Sequence, residues 1–170
     1  MATIFLVRHG AHALLDRVLV GCKVDIPLDS IGRQQARALA ERFSRESVDI
    51  VQSSPRARAR QTAGPIAERV GVTLEVAPAV DEIDCGEWSG RSFDELASER
   101  AWQEWNVRRS VSRAPGGESM TEVQRRAVIE RRGGHTCNPH SVLALPAQRP
   151  PRRSSPGATG RVQGQQPIDG

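Results

Sequence analysis

Five stretches in the first half of the chain carry apolar residues at the spacings regular structure requires, and they alternate in type. Thr3 to Val7 is an apolar run with a β-branched start, stopped by Arg8-His9-Gly10, which predicts a buried parallel strand ending in a loop. An irregular loop runs on to about Leu28. Asp29 or Ser30 then stands as a helix N-cap ahead of Ile31, Ala36, Leu39, Ala40 and Phe43 at helical spacing. Val48 to Val51 predicts a second strand. After the turn Ser53-Ser54-Pro55, a helical stretch begins at Ala57, and Gly64-Pro65 is expected to break or restart it. Thr73 to Val76 predicts a third strand. This alternation predicts an α/β sheet with right-handed crossovers, whose ligands bind beyond the carboxyl ends of the strands.

Further on, the loop Cys85-Gly86-Glu87-Trp88-Ser89-Gly90 precedes a helical region through Phe93, Leu96, Trp102 and Trp105. The three tryptophans are expected in the core or pocket wall rather than as a stacking platform. Pro115-Gly116-Gly117 makes a turn, and Glu118 to about Arg131 predicts another helix. Residues 131–170 then hold six Pro, six Gly and six Arg with one acid, which predicts a disordered tail with at most a short apolar piece at Val142 to Leu145. The expected organisation is one domain over residues 1–130, followed by that tail.

Charge changes the picture little. The net +4 resides in the tail, because residues 1–130 carry 18 basic and 19 acidic groups. A nucleic-acid partner is therefore not expected. No run of eighteen apolar residues is present and the start lacks a signal-peptide pattern, so no membrane partner and a cytoplasmic location are expected. Cys22, Cys85 and Cys137 are odd in number, without a C-x-x-C pair, which predicts reduced thiols. His135, Cys137 and His140 lack a fourth ligand, and no metal site is expected there.

Chemistry concentrates in four segments. Arg8-His9-Gly10 ends the first strand, and Ser53-Ser54-Pro55-Arg56-Ala57-Arg58-Ala59-Arg60-Gln61-Thr62-Ala63 follows the second. Glu82 lies ahead of the 85–90 loop, and Pro115-Gly116-Gly117-Glu118-Ser119 comes last. Over roughly residues 2–130 this ordered set resembles the histidine phosphatase superfamily, in its phosphoglycerate mutase-like branch. The resemblance implies a three-layer α/β/α fold with a mostly parallel sheet, no metal or other cofactor, and a phosphohistidine intermediate. It also implies His9 as nucleophile, Arg8, Gly10 and Arg58 as substrate-binding residues, and Glu82 as proton donor. Asp25, Pro27, Leu28, Gly32 and Gln35 match the family's loop and first helix. The implied partner is a small phosphorylated metabolite; no assembly is read from these residues.

These residue types suit the chemistry. A neutral imidazole is a competent nucleophile near pH 7, and splitting one displacement into two lowers the barrier to each. Guanidinium groups meet phosphoryl oxygens with fixed, forked donors. A carboxylic acid near a bound phosphate dianion has its pKa raised and can protonate a poor leaving group. By residue type alone, Arg56 and Arg60 compete with Arg58, and Asp81, Asp84 and Glu87 compete with Glu82.

Two departures from the family pattern stand out. After Gly10 the run is Ala11-His12-Ala13-Leu14-Leu15, where the family has an acid or amide, a Thr and, further on, an Asn. The family's second histidine, in a Ser-His-Gly segment ending a strand after the last helix, has no counterpart. The Arg-, Pro- and Gly-rich composition matches an out-of-frame reading of a GC-rich gene from about residues 127–133, so the fold is expected to be incomplete at its C-terminus. Loss of that strand is expected to leave an open sheet edge and uncovered apolar surface. The resulting functional readings are a phosphatase of small phosphate monoesters with impaired turnover, an inactive product with residual phosphate binding, and mutase-type phosphoryl transfer.

Overall fold

A computed structural model describes residues 3–132 and 140–145. Four parallel strands form one sheet in the order β1-β4-β2-β3, with β1 at Thr3–Arg8, β2 at Ile50–Ser53, β3 at Leu74–Val76 and β4 at His140–Leu145. Helices α1 (Ser30–Phe43) and α2 (Ala57–Val70) connect the first three strands, and α3 (Phe93–Ala97), α4 (Arg100–Val107) and α5 (Met120–Arg132) follow. The strand-helix alternation expected from the first half is therefore present, and the mixed α/β architecture with a parallel sheet stands.

Local chemistry sets the helix boundaries. Asp29 is the N-cap of α1 and accepts the Gly32 amide at 2.7 Å. Asp25 accepts the first amide of α2, that of Ala57, also at 2.7 Å. Ser92 with Glu95 and Ser119 with Glu122 close capping boxes on α3 and α5. The small buried residues Ala36 and Ala40 of α1 and Ala59, Ala63 and Ala67 of α2 let the paired helices sit close against Val7 and Val51 of the sheet. Leu19, Ile83, Trp88, Leu96, Trp102 and Trp105 build a second core, where the tryptophans are buried as expected. Trp102 and Trp105 stack at 5.4 Å, and Trp88 meets Trp102 edge-on at 5.3 Å.

Three expectations need correction. Gly64-Pro65 does not break α2, which is continuous from Ala57 to Val70. An interior proline costs roughly 3 kcal/mol, and burial of Ala59, Thr62, Ala63, Ile66 and Ala67 along one face offsets it. The second strand begins at Ile50 rather than Val48, because its ladder to β4 starts at the Ile50–Ser141 pair. Most consequentially, His140–Leu145, within the stretch expected to be a tail, is a complete strand with partners on both sides. β4 therefore lies between β1 and β2 in the sheet, and β1 and β3 are its edges among the described residues. The rest of the expected tail, 133–139 and 146–170, lies outside the described residues, as do His135 and Cys137.

Uncovered apolar surface is nonetheless present: Ile4 and Leu6 of β1 are 45% and 65% exposed. No helix among the described residues is long and apolar enough to cross a membrane.

Candidate active site

The carboxyl ends of β1, β2 and β4 share one edge of the sheet, where Arg8 pairs with Leu145 and Ser53 with Ala144. An open cleft lies beyond it, with Arg8, His9, His12, Arg58 and Glu82 among its walls. The loop leaving β1 is pinned tightly. The Gly10 amide donates to the Thr62 hydroxyl at 3.0 Å, the Ala11 amide to Gln35 Oε1 at 2.9 Å, and the Asp29 amide to the Ala11 carbonyl at 3.1 Å. A Cβ on Gly32 would stand 2.0 Å from the Ala11 carbonyl oxygen, so only glycine lets α1 start against this loop.

His9 is buried, and its Nδ1 donates to the Gly10 carbonyl at 2.8 Å. A carbonyl only accepts, so in the neutral ring the proton sits on Nδ1 and Nε2 carries the lone pair. Burial lowers the His9 pKa to about 4; the Gly10 carbonyl opposes the shift, and Arg58, His12 and Arg8 add to it. The ring is therefore neutral near pH 7.

Arg58, 1% exposed, donates through Nη2 to the Gly21 carbonyl at 3.0 Å and lies 3.6 Å from Glu82 Oε2. Its buried Nε has no hydrogen-bond partner among the described residues. Glu82 is buried as well. Burial pushes its pKa up, and the attraction of Arg58 offsets this only in part. Arg126 of α5 fixes the Glu82 main chain by donating to its carbonyl at 3.1 Å, and it also pairs with Glu118 at 3.1 Å. The 85–90 and 115–119 segments dock on one another there. The Glu87 amide donates to Pro115 and the Glu118 amide to Asp84, while a Cβ on Gly86, at φ +55°, would stand 1.9 Å from the Pro115 carbonyl oxygen.

The profile of the histidine phosphatase superfamily (branch 1) matches residues 4–133. The chain belongs to this superfamily. The probable phosphoglycerate mutase GpmB of Yersinia pestis (strain Pestoides F) is 34% identical over 128 residues, which are 74% of this chain and 60% of that protein. The chain thus spans about 60% of the length of the curated relatives it matches. A solved protein of Thermus thermophilus, TTHB049, is 28% identical, with a TM-score of 0.67 over 84% of this chain and 77% of that one. A mycobacterial glucosyl-3-phosphoglycerate phosphatase in complex with inorganic phosphate is 26% identical, with a TM-score of 0.70 over 82% of this chain and 70% of that one.

The structure separates residues that sequence left as equals. Arg58 lines the cleft; Arg56 is engaged by Asp81 at 2.9 Å, and Arg60 is exposed. Glu82 lines the cleft, whereas Asp81 is held by Arg56 and Ser54, Asp84 by Lys23, and Glu87 faces solvent. Arg8, His9 and Gly10 gather at the same point; Gly10 is buried beneath the cleft and contributes backbone. His12 was missed as a site residue, appearing in the sequence only as a departure from the family run; its position three residues after His9 was the one available signal. His140 starts β4 opposite Thr3, some 17 Å along the strand from the cleft end. The residue at the cleft end of that strand is Leu145.

Proposed function

We propose that this chain is a phosphatase of small phosphate monoesters, working through a phosphohistidine on His9. The observation that carries the reading is the His9 tautomer, with Nδ1 held by a backbone carbonyl and the Nε2 lone pair left for phosphorus. In the first step Nε2 attacks phosphorus as the ester P–O bond breaks, and Glu82, whose pKa burial raises, gives a proton to the departing oxygen. In the second, water attacks phosphorus, the P–N bond breaks, and Glu82 takes the water proton. Arg8 and Arg58 meet the charge on the transferring oxygens. The similarity to a probable phosphoglycerate mutase and to a glucosyl-3-phosphoglycerate phosphatase supports phosphorylated glycerate esters as the first substrates to try.

Rapid acid quench of the full chain with a labelled monoester tests the reading. Acid-labile label is expected on the wild type and none on His9→Asn. Label that persists in His9→Asn, or its absence from the wild type, overturns it. A second reading, phosphate binding without turnover, is favoured by β4 ending in Leu145, at the strand end where the resemblance puts a second phosphoryl-binding histidine. It predicts vanadate binding by a chain that never becomes labelled.

A further inference from the structure

His12 lies outside every role assigned so far, yet its surroundings are those of a ligand-binding group. It is 5% exposed, lines the cleft with His9 and Arg58, and belongs to neither apolar core. Its ring centroid is 5.2 Å from that of His9, and the two rings are tilted by 38°.

The two imidazoles are held in opposite tautomers. The Leu14 amide donates to His12 Nδ1 at 3.3 Å. An amide only donates, so Nδ1 is the bare nitrogen of His12 and the proton sits on Nε2. In His9 the carbonyl of Gly10 imposes the reverse. One loop, residues 9–12, thus presents a lone pair on one ring and an N–H on its neighbour. The His12 Nε2–H has no hydrogen-bond partner among the described residues, and neither does the buried Nε of Arg58 in the same wall. A buried N–H without a partner, as at Arg58 Nε, costs roughly 1–3 kcal/mol, a cost that an oxyanion in the cleft removes, and the His12 Nε2–H is open to the same oxyanion from the cleft wall.

We infer that His12 is a phosphoryl-binding residue, its Nε2–H donating to a non-bridging oxygen of the group held against His9. The inference rests on the phosphatase reading for the identity of that group and adds a second imidazole from the loop itself. His140 cannot supply one, since it begins β4 at the far end of the strand. Of the charged groups near His12, Arg8 and Arg58 disfavour a second positive charge on the ring while Asp16 and Asp29 favour it. Burial is the larger influence and keeps the ring a neutral donor.

The test uses the full chain and orthovanadate as the phosphoryl mimic. His12→Phe is expected to weaken vanadate binding about 10-fold to 100-fold, the usual worth of a hydrogen bond to a charged group. His12→Gln, whose amide nitrogen reaches a similar position, should recover part of the affinity. In the wild type, vanadate should shift the His12 Nε2–H resonance in a ¹⁵N-edited spectrum, a readout that needs no variant to fold. An unshifted resonance, or His12→Phe binding vanadate as tightly as wild type, overturns the inference. If phosphohistidine forms on His9 while the His12 readouts stay still, the phosphatase reading survives and this inference falls. If vanadate affinity depends on His12 but no phosphohistidine forms, the inference survives and the phosphatase reading falls.

Discussion

The Gly10 amide donates to the Thr62 hydroxyl at 3.0 Å, and that hydroxyl in turn donates to the Arg58 carbonyl at 2.8 Å. One oxygen atom thereby joins the loop that carries His9 to the helical turn that carries Arg58. Thr62→Val keeps the shape of the side chain and leaves the buried Gly10 amide without its acceptor. Urea melts are expected to show a loss of about 1–3 kcal/mol. Phosphoenzyme formation should slow as well, and Thr62→Ser should restore both.

Arg58 supports the fold and the cleft at once. Arg58→Met leaves the Gly21 and Val24 carbonyls unserved and Glu82 buried without its cation. Removing one member of such a buried pair is commonly worth about 3–5 kcal/mol, and protonation of Glu82 should bring the loss toward the low end. Vanadate binding should vanish in calorimetry. Arg58→Lys is not expected to rescue, because a single ammonium lacks the fork that reaches both carbonyls. Arg60→Ala, at an exposed position, should change neither stability nor binding.

The buried His9 makes a signed prediction about pH. Its pKa is about 4 in the folded state against 6.5 as the ordinary value, so the folded state holds the proton less tightly. The ring costs nothing above pH 6.5. Stability is lost as the pH falls from 6.5 through 4, by about 3 kcal/mol in all. Denaturant melts at pH 7 and pH 4.5 should show this loss, and His9→Asn should show less of it. In kinetics, the acid limb of kcat/KM due to His9 should fall near pH 4; a limb near 6.5 would contradict the burial.

Two glycines should respond oppositely to alanine. Gly32→Ala drives a Cβ to 2.0 Å from the Ala11 carbonyl oxygen, where the neighbour is backbone and cannot yield. Loss of soluble, cooperatively melting protein is expected. Gly64 lies inside α2 with nothing within 4 Å of an added Cβ, so Gly64→Ala should raise stability by about 0.5–1 kcal/mol. Thermal melts of the two variants side by side check both.

What the sequence by itself determined is local. Helical spacing and caps placed α1 and α5 to within two residues at each end, and the short order of motifs placed Arg8, His9, Arg58 and Glu82 in one family pattern. These signals are legible because a cap, a turn or an apolar period is written in neighbouring residues. Tertiary structure decided the rest. His140–Leu145 is six residues set among Pro, Gly and Arg, too short to show a period, and it becomes a strand only through β1 and β2 on either side. Pro65 stays helical because one face of α2 is buried against α1 and the sheet. Arg58 is distinguished from Arg56 and Arg60 by what lies opposite each guanidinium, and His12 from an ordinary loop histidine by the cleft it faces. Burial and pairing are long-range relations between residues far apart in the chain, so no reading of neighbours supplies them.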